Sequence, residues 1–444
     1  MKALIAIPVA ALCTAMTAAC SSLSVESAKI PIDQGYGPTP VLPKPNPTLI
    51  PTIEIAPARR WAEGTTPKAA PGLSVNEFAG GLDHPRWLHV LPNGDVLVAE
   101  TNRPPERTGF SLREIVQSAV MKRAGAVTKS ANRIRLLRDA DADGRAETRT
   151  VLLQGLNSPF GMTLIGNKLY VANTDAIVAF PYSRGQTRIS SKGEKIADLP
   201  AGPINHHWTK DVIASRDGTK LYATVGSNSN VSENGIENEI DRASVLEIDL
   251  TTRRSYLFAS GLRNPNGLSW QPDSGALWVV VNERDEIGSD LVPDYMTAVR
   301  RGGFYGWPYS YFGQHVDMRV KPPRPDLVAK AIKPDYALGP HTASLGLTFY
   351  TGRLFGPKYR GGAFVGQHGS WNRNPRSGYK VVFVPFRNGK PIGGPRDILT
   401  GFVNERGQAL GRPVGVAVDK HGALLVADDV GNKVWRVAPT GGGK

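Results

Sequence analysis

The chain has 444 residues, 41% of them hydrophobic, and its 53 Lys and Arg outnumber 39 Asp and Glu to give a net charge of +14. Both cysteines, Cys13 and Cys20, lie near the N-terminus, which excludes disulfide and thiolate chemistry from the rest of the chain. The cations are scattered rather than massed in one arm, which argues against nucleic acid and leaves solubility, or attraction to an anionic envelope or ligand.

Lys2 and the apolar run from Ala3 to Ala19 form an export signal that is too short for a membrane span. Thr17-Ala-Ala-Cys20 resembles a bacterial lipobox, with Thr where Leu is usual; the alternative is a simple secretory signal cleaved nearby. Residues 1–20 are accordingly expected to be a lipoprotein-type signal peptide with Cys20 lipidated. By resemblance to sorted lipoproteins, Ser21 after the cysteine favours the periplasmic face of an outer membrane. Residues 21–71 are rich in Pro, Ser and Thr, a composition that predicts an extended, weakly ordered tether.

From about residue 72 to 440 one phrase recurs six times: a Gly- or Pro-marked turn, an alternating stretch, a tight turn and a β-rich run. The six units start at Asp83-His-Pro-Arg, Asn157-Ser-Pro-Phe-Gly, His206-His-Trp, Arg263-Asn-Pro-Asn-Gly, Thr342-Ala-Ser-Leu-Gly and Arg412-Pro-Val-Gly. They predict an all-β, six-bladed β-propeller. At ~150 residues per domain the length would suit about three domains, but a propeller uses most of it in one. Long loops decorate the first and fourth units. Within the first, Arg103 to Ser130 reads as an insertion, and Ser111-Leu-Arg-Glu114 has the spacing of a capping box before a short amphipathic helix. Next, Asp139-Ala-Asp141-Ala-Asp143-Gly144 resembles the start of a calcium loop but has Thr150 at its twelfth position, leaving an ion site and a polar hairpin turn both open.

In a propeller the residues just before the innermost strands converge on the axis. The converging set here is Arg86, His206 and His207, Lys210, Arg263 with Asn264, Arg373 and Arg412, with Asp211, Glu283, Asp285, Glu286 and Asp290 as acidic counterparts. Cations ringing a histidine suit a polyanionic ligand and a proton-abstracting base. Trp208, Tyr305, Trp307 and Trp371 offer flat faces to a ring, or pack between blades.

The runs INHHWTKDVIASRDGTKLYATVGSNSN, GLRNPNGLSWQP, LWVVVNERDEIGSDLVPDY, RRGGFYGWPYSYFG, GQHGSWNR and GRPVGVAVDKHGALLVADD together resemble the sorbosone dehydrogenase branch of the soluble quinoprotein sugar dehydrogenases, over roughly Gly80 to Pro439. The resemblance implies a propeller that holds pyrroloquinoline quinone and Ca²⁺ on its axis and oxidises a sugar or aldehyde. It implies that His207 is the general base and that Arg263 and Asn264 contact the quinone oxygens, which counts Arg263 with the catalytic residues. Arg412 would pair with a quinone carboxylate, Arg373 stands near a position where relatives place Lys, and Lys210 joins the cofactor-binding cations. Asn282 to Glu286 align with the segment whose carbonyls bind Ca²⁺. Asp285-Glu286 replaces that segment's Gly-Pro, so side chains of Asp285 and Glu286 become candidate metal ligands. His207-Trp-Thr-Lys-Asp also departs from the glucose enzymes' His-Gln-Gly-Gly-Arg, which implies a different sugar pocket.

No G-x-G-x-x-G after a strand, G-x-S-x-G elbow or H-E-x-x-H helix is present. Without a C-x-x-C-H haem motif, electrons would leave to a separate acceptor. Two other readings stand beside the dehydrogenase: a Ca²⁺-dependent propeller lactonase, and a non-catalytic propeller that binds glycan or protein.

Overall fold

The computed structural model describes residues 26–48, 52–105, 121–126 and 128–441. Six antiparallel sheets follow one another along the chain. Blade one comprises Pro85–Val90, Val96–Glu100, Arg133–Arg138 and Thr148–Gln154; blade two Met162–Ile165, Lys168–Ala172, Ala176–Pro181 and Glu194–Asp198. Blade three comprises Val212–Ala214, Lys220–Val225, Ser244–Asp249 and Ser255–Ser260; blade four Asn264–Trp270, Leu277–Asn282, Pro293–Ala298 and Tyr336–Pro340. Blade five comprises Ser344–Phe349, Ala363–Gln367, Lys380–Val384 and Arg396–Thr400. Blade six takes Pro413–Val418, Leu424–Asp428 and Lys433–Pro439 from the C-terminal end and its outer strand, Leu73–Ala79, from the N-terminal side. That exchange closes the ring with backbone hydrogen bonds and leaves no seam between first and last blades.

The second strands, such as Val96–Glu100 and Leu277–Asn282, are aliphatic and almost wholly buried, as expected for strands covered by a blade on each face. Large side chains fill the gaps between blades: Trp87, Phe160 and Trp208 form a continuous stack with centroid separations of 4.4 and 5.9 Å. The glycine shared by four of the six units has a steric reason. A Cβ on Gly161 would lie 2.3 Å from Val212 N, one on Gly267 2.6 Å from Leu347 N, one on Gly346 2.2 Å from Val414 O and one on Gly415 2.7 Å from Arg86 O. Only glycine lets adjacent inner strands approach this closely at the axis.

Buried carboxylates fasten neighbouring blades. Asp211 accepts Leu268 N at 2.8 Å, and Asp294 accepts Ser344 N at 2.7 Å. Burial pushes both carboxyls up to about 7 against the pull of these backbone donors.

The Pro-rich segment expected to be a weakly ordered tether lies docked on the propeller wherever it is described. Tyr36–Gly37 adds to the outer edge of blade four, and Lys68–Ala69 to that of blade five. Asp290 accepts Lys29 N at 2.6 Å, Asn46 N donates to Ile287 O and Glu54 N to Trp371 O. Trp61 packs edge-on against Phe402 and Trp435 and donates to Asp428. Extended backbone of this kind can satisfy its donors with protein loops in place of water, so composition alone did not distinguish a strap from a tether.

The predicted helix of blade one falls mostly in residues 106–120, outside the described residues, as do the signal and Cys20. The long loop of blade four, residues 299–335, carries a small hairpin, Ser310–Tyr311 with His315–Val316, and a short helix, Pro325–Val328.

Candidate active site

In an antiparallel blade, the turn leading into the first strand and the loop leaving the second lie at the same end. Both sets therefore share one face of the propeller. His207 sits on this face just ahead of blade three, half-buried, with Nδ1 2.8 Å from Ser227 O and 3.0 Å from Ser227 Oγ. Burial and the neighbouring Arg263 guanidinium hold its pKa well below 6.5, so the ring is neutral at neutral pH. Gly226 is required beneath it: a Cβ there would lie 2.4 Å from His207 Cβ and 2.6 Å from Asn264 Oδ1.

Arg263 and Asn264 lead into blade four. The Arg263 guanidinium donates to Glu283 O at 2.5 Å, to the Asn282 and Asn230 side chains at 3.2 and 3.0 Å, and to Asp285 Oδ2 at 3.3 Å. Asn264 Oδ1 is buried and accepts no hydrogen bond among the described residues. Asp285 is the hub. Its other carboxylate oxygen receives Asn372 Nδ2 at 2.7 Å and lies 3.3 Å from His341 Nδ1, while its main-chain oxygen accepts from Asn230 and Arg319. Burial alone would raise this carboxyl, but Arg263 and His341 hold it at about 2.

A second charged group faces the axis from blades five, six and one. Asp429, fully buried, accepts Arg86 Nη1 at 2.7 Å and His368 Nε2 at 2.9 Å, and lies 3.5 Å from His84 Nε2. Arg412 lies with its Cζ 5.0 Å from the Tyr379 ring centroid and donates to the hydroxyl of that residue at 3.2 Å. Arg86 in turn lies 5.7 Å from the Trp208 ring centroid, next to His207 in sequence. Arg86 Nε and Arg412 Nε are both buried without an acceptor among the described residues. Unmet buried guanidinium donors are costly unless an anion completes them.

The structure brings His207, Arg263, Asn264, Asp285 and Arg412 to this face and places two expected cofactor cations elsewhere. The Lys210 ammonium is fully buried behind the loop, near the carbonyls of His207 and Trp208 at 3.3 and 3.4 Å. Arg373 donates to Ser289 O and Pro375 O and lies 3.6 Å from Asp290, beneath the N-terminal strap. Each is spent on holding a loop. Glu286 adjoins the hub with a left-handed backbone, φ 73°. Trp208, Tyr305 and Trp307 are buried in packing, with Trp307 Nε1 donating to Asn230 O. In the acidic turn of blade one, oxygens of Asp139, Asp141, Asp143 and Glu147 lie within 4.8 Å of one another. Asp139, Asp141 and Asp143 accept the turn's own N–H groups, as a polar hairpin requires.

Ser227, Asn230, His341, His368, Asn372, Tyr379 and Asp429 join the candidate site, which the lead-in turns did not reveal. Most sit on loops leaving second strands, and the runs GSNSN, GQHGSWNR and LLVADD were their signal.

A family model described as TrAA12-like matches residues 67–297 and 327–440. The chain belongs to this family. Among its relatives, a Coprinopsis cinerea pyrroloquinoline quinone-dependent pyranose dehydrogenase is 25% identical over 71% of this chain and 44% of its own length. An Escherichia coli aldose sugar dehydrogenase is 26% identical over 42% of this chain and 44% of its own. The chain thus spans under half the length of both these relatives. An uncharacterized Borreliella burgdorferi protein is 28% identical over 64% of this chain and 76% of its own. The Trichoderma reesei AA12 enzyme superposes with a TM-score of 0.68 at 18% identity, covering 88% of this chain and 100% of the other. The holo pyranose dehydrogenase quinone domain of C. cinerea does so with 0.67 at 21% identity, covering 86% and 100%. Both superpositions support the propeller fold.

Proposed function

We propose that the chain is a quinoprotein sugar dehydrogenase that oxidises an aldose or related sugar or aldehyde, with pyrroloquinoline quinone as its cofactor. The observation that carries this reading is the pair of buried guanidinium groups, Arg86 and Arg412, each with an Nε that has no acceptor among the described residues, on the same face as a neutral His207. A cofactor bearing several carboxylates fits those donors, whereas a neutral lactone gives no reason for them. Two of the relatives named above are described as a pyrroloquinoline quinone-dependent pyranose dehydrogenase and an aldose sugar dehydrogenase.

On this reading Arg412 and Arg86 hold the cofactor's carboxylates, and Arg263 with Asn264 faces its quinone oxygens. When bound, the quinone supplies the acceptor for a hydride leaving the sugar carbon. His207 Nε2 takes the proton of the sugar hydroxyl, and the depressed basicity of the ring keeps that nitrogen free at neutral pH. The Arg263 guanidinium beside it stabilises negative charge that develops opposite the base.

The segment expected to bind Ca²⁺ is engaged by protein donors as it stands. Arg263 occupies the Glu283 carbonyl and one Asp285 oxygen, and the Asp285 main-chain oxygen already has two donors.

Export with a lipidated Cys20 belongs to the same reading, with a separate electron acceptor. Only five residues separate Cys20 from Glu26, a reach of about 20 Å at full extension. Glu26 accepts Ser289 N beside the site, so an anchored chain would hold this face toward the membrane. Dye-linked oxidation of a panel of aldoses by the quinone-loaded protein tests the activity; no turnover with any aldose or aldehyde would contradict it.

A further inference from the structure

His207 is held by a serine rather than a carboxylate. Ser227 Oγ donates its only proton to Ser229 O at 2.6 Å. It can therefore meet His207 Nδ1, 3.0 Å away, only as an acceptor. Ser227 O, the second neighbour of Nδ1 at 2.8 Å, is an acceptor as well. Both contacts demand a proton on Nδ1, which leaves Nε2 with the lone pair.

The hydroxyl is kept in that role from below. Ser229 O must stay in place to take the Ser227 proton, and the turn that carries it is fastened to buried Glu239. Asn228 N donates to Glu239 Oε2 at 2.7 Å, Ser229 Oγ donates to Oε1, and Ser232 N donates to Ser229 Oγ at 2.9 Å. Ser227, Ser229 and Glu239 are all buried, so water cannot replace a lost link. Were Ser227 free to rotate, its hydroxyl could donate to Nδ1 and favour the tautomer whose Nε2 is protonated and useless as a base.

We infer that Ser227 and Glu239 are positioning residues that hold His207 in the tautomer with a bare Nε2. The inference rests on the reading of His207 as the base, but its geometry can be tested without turnover. Nitrogen NMR of the ¹⁵N-histidine-labelled full chain, with His207 assigned by His207→Asn, reads the tautomer directly. The expected result is a protonated Nδ1 and an unprotonated Nε2 in the wild type, the same tautomer in Ser227→Ala, where Ser227 O still accepts from Nδ1, and mixed tautomers in Glu239→Gln, where the freed Ser227 hydroxyl can turn to donate. In the quinone-loaded protein Glu239→Gln should lose kcat about fivefold, the worth of one ordinary hydrogen bond, with KM and quinone affinity unchanged. A protonated Nε2 in the wild type overturns the inference, as does a Glu239→Gln variant that leaves both tautomer and kcat unaltered. Absence of turnover in the wild type with the expected tautomer would overturn the dehydrogenase reading and leave the positioning intact.

Discussion

Asn372 donates its side-chain amide to Asp285 Oδ1 across 2.7 Å, joining the loop that leaves the second strand of blade five to the corresponding loop of blade four. His341 approaches the same oxygen through Nδ1 at 3.3 Å and meets Gly288 O through Nε2 at 2.9 Å. With an acceptor at each ring nitrogen, the imidazole is best served by carrying both protons.

This clamp has a defined pH window. Burial would lower the pKa of His341, but Asp285 and the Gly288 carbonyl raise it above the usual 6.5. Its contribution is therefore complete below 6.5 and is lost as pH rises through the raised value. Asp285 is held down at about 2 from the usual 3.8, so its contribution is present above 3.8 and lost as pH falls toward 2. Thermal melts of wild type and His341→Gln should differ most at about pH 5 to 6 and converge by about pH 9. A gap independent of pH would contradict the ion pair.

His207→Ala should lower kcat by about 10²–10⁴-fold, the usual worth of a general base, while quinone binding stays as in the wild type. Stopped-flow reduction of the bound quinone by saturating sugar reads this step apart from reoxidation. Equal loss of quinone affinity would mean that the ring holds the cofactor.

The two buried arginines Arg412 and Arg373 should behave oppositely. Arg412→Ala should weaken quinone binding by about 10–100-fold, as loss of a charge-assisted hydrogen bond does. Arg373→Ala should instead strip Asp290 and two carbonyls of their partner and cost about 3 kcal/mol of stability, read from the denaturant midpoint. A quinone defect in folded Arg373→Ala would return that residue to the binding site.

The strap should prove part of the folded unit. A chain beginning at Gly72 loses the Trp61–Asp428 bond and the contacts of Lys29 with Asp290, and Trp61→Ala alone should cost roughly 2 kcal/mol. Calorimetric melting of both variants against the full chain checks this; an unchanged transition would restore the picture of a free tether.

The six-blade architecture was legible because the turn-and-strand phrase recurs in every unit, and in four of the six its glycine is compelled by contact between inner strands, as at Gly267 and Gly346. The shared face of His207, Arg263 and Arg412 was legible because they precede first strands. Asp429 and His368 were not, because the same face is also built by loops leaving second strands, which carry no shared motif. Lys210 and Arg373 were misplaced for a related reason: position on the ring fixes where a backbone lies, but burial and nearby carbonyls decide where a long cationic side chain ends. The strap was missed because a docked extended segment and a solvated one have the same composition.

The most direct test of the central claim is calorimetric titration of pyrroloquinoline quinone into the full chain, with and without Ca²⁺, beside Arg412→Ala. Tight binding to the wild type that Arg412→Ala weakens by at least tenfold is the predicted result. No binding in either condition, or binding indifferent to Arg412, would contradict an anionic quinone seated on these cations.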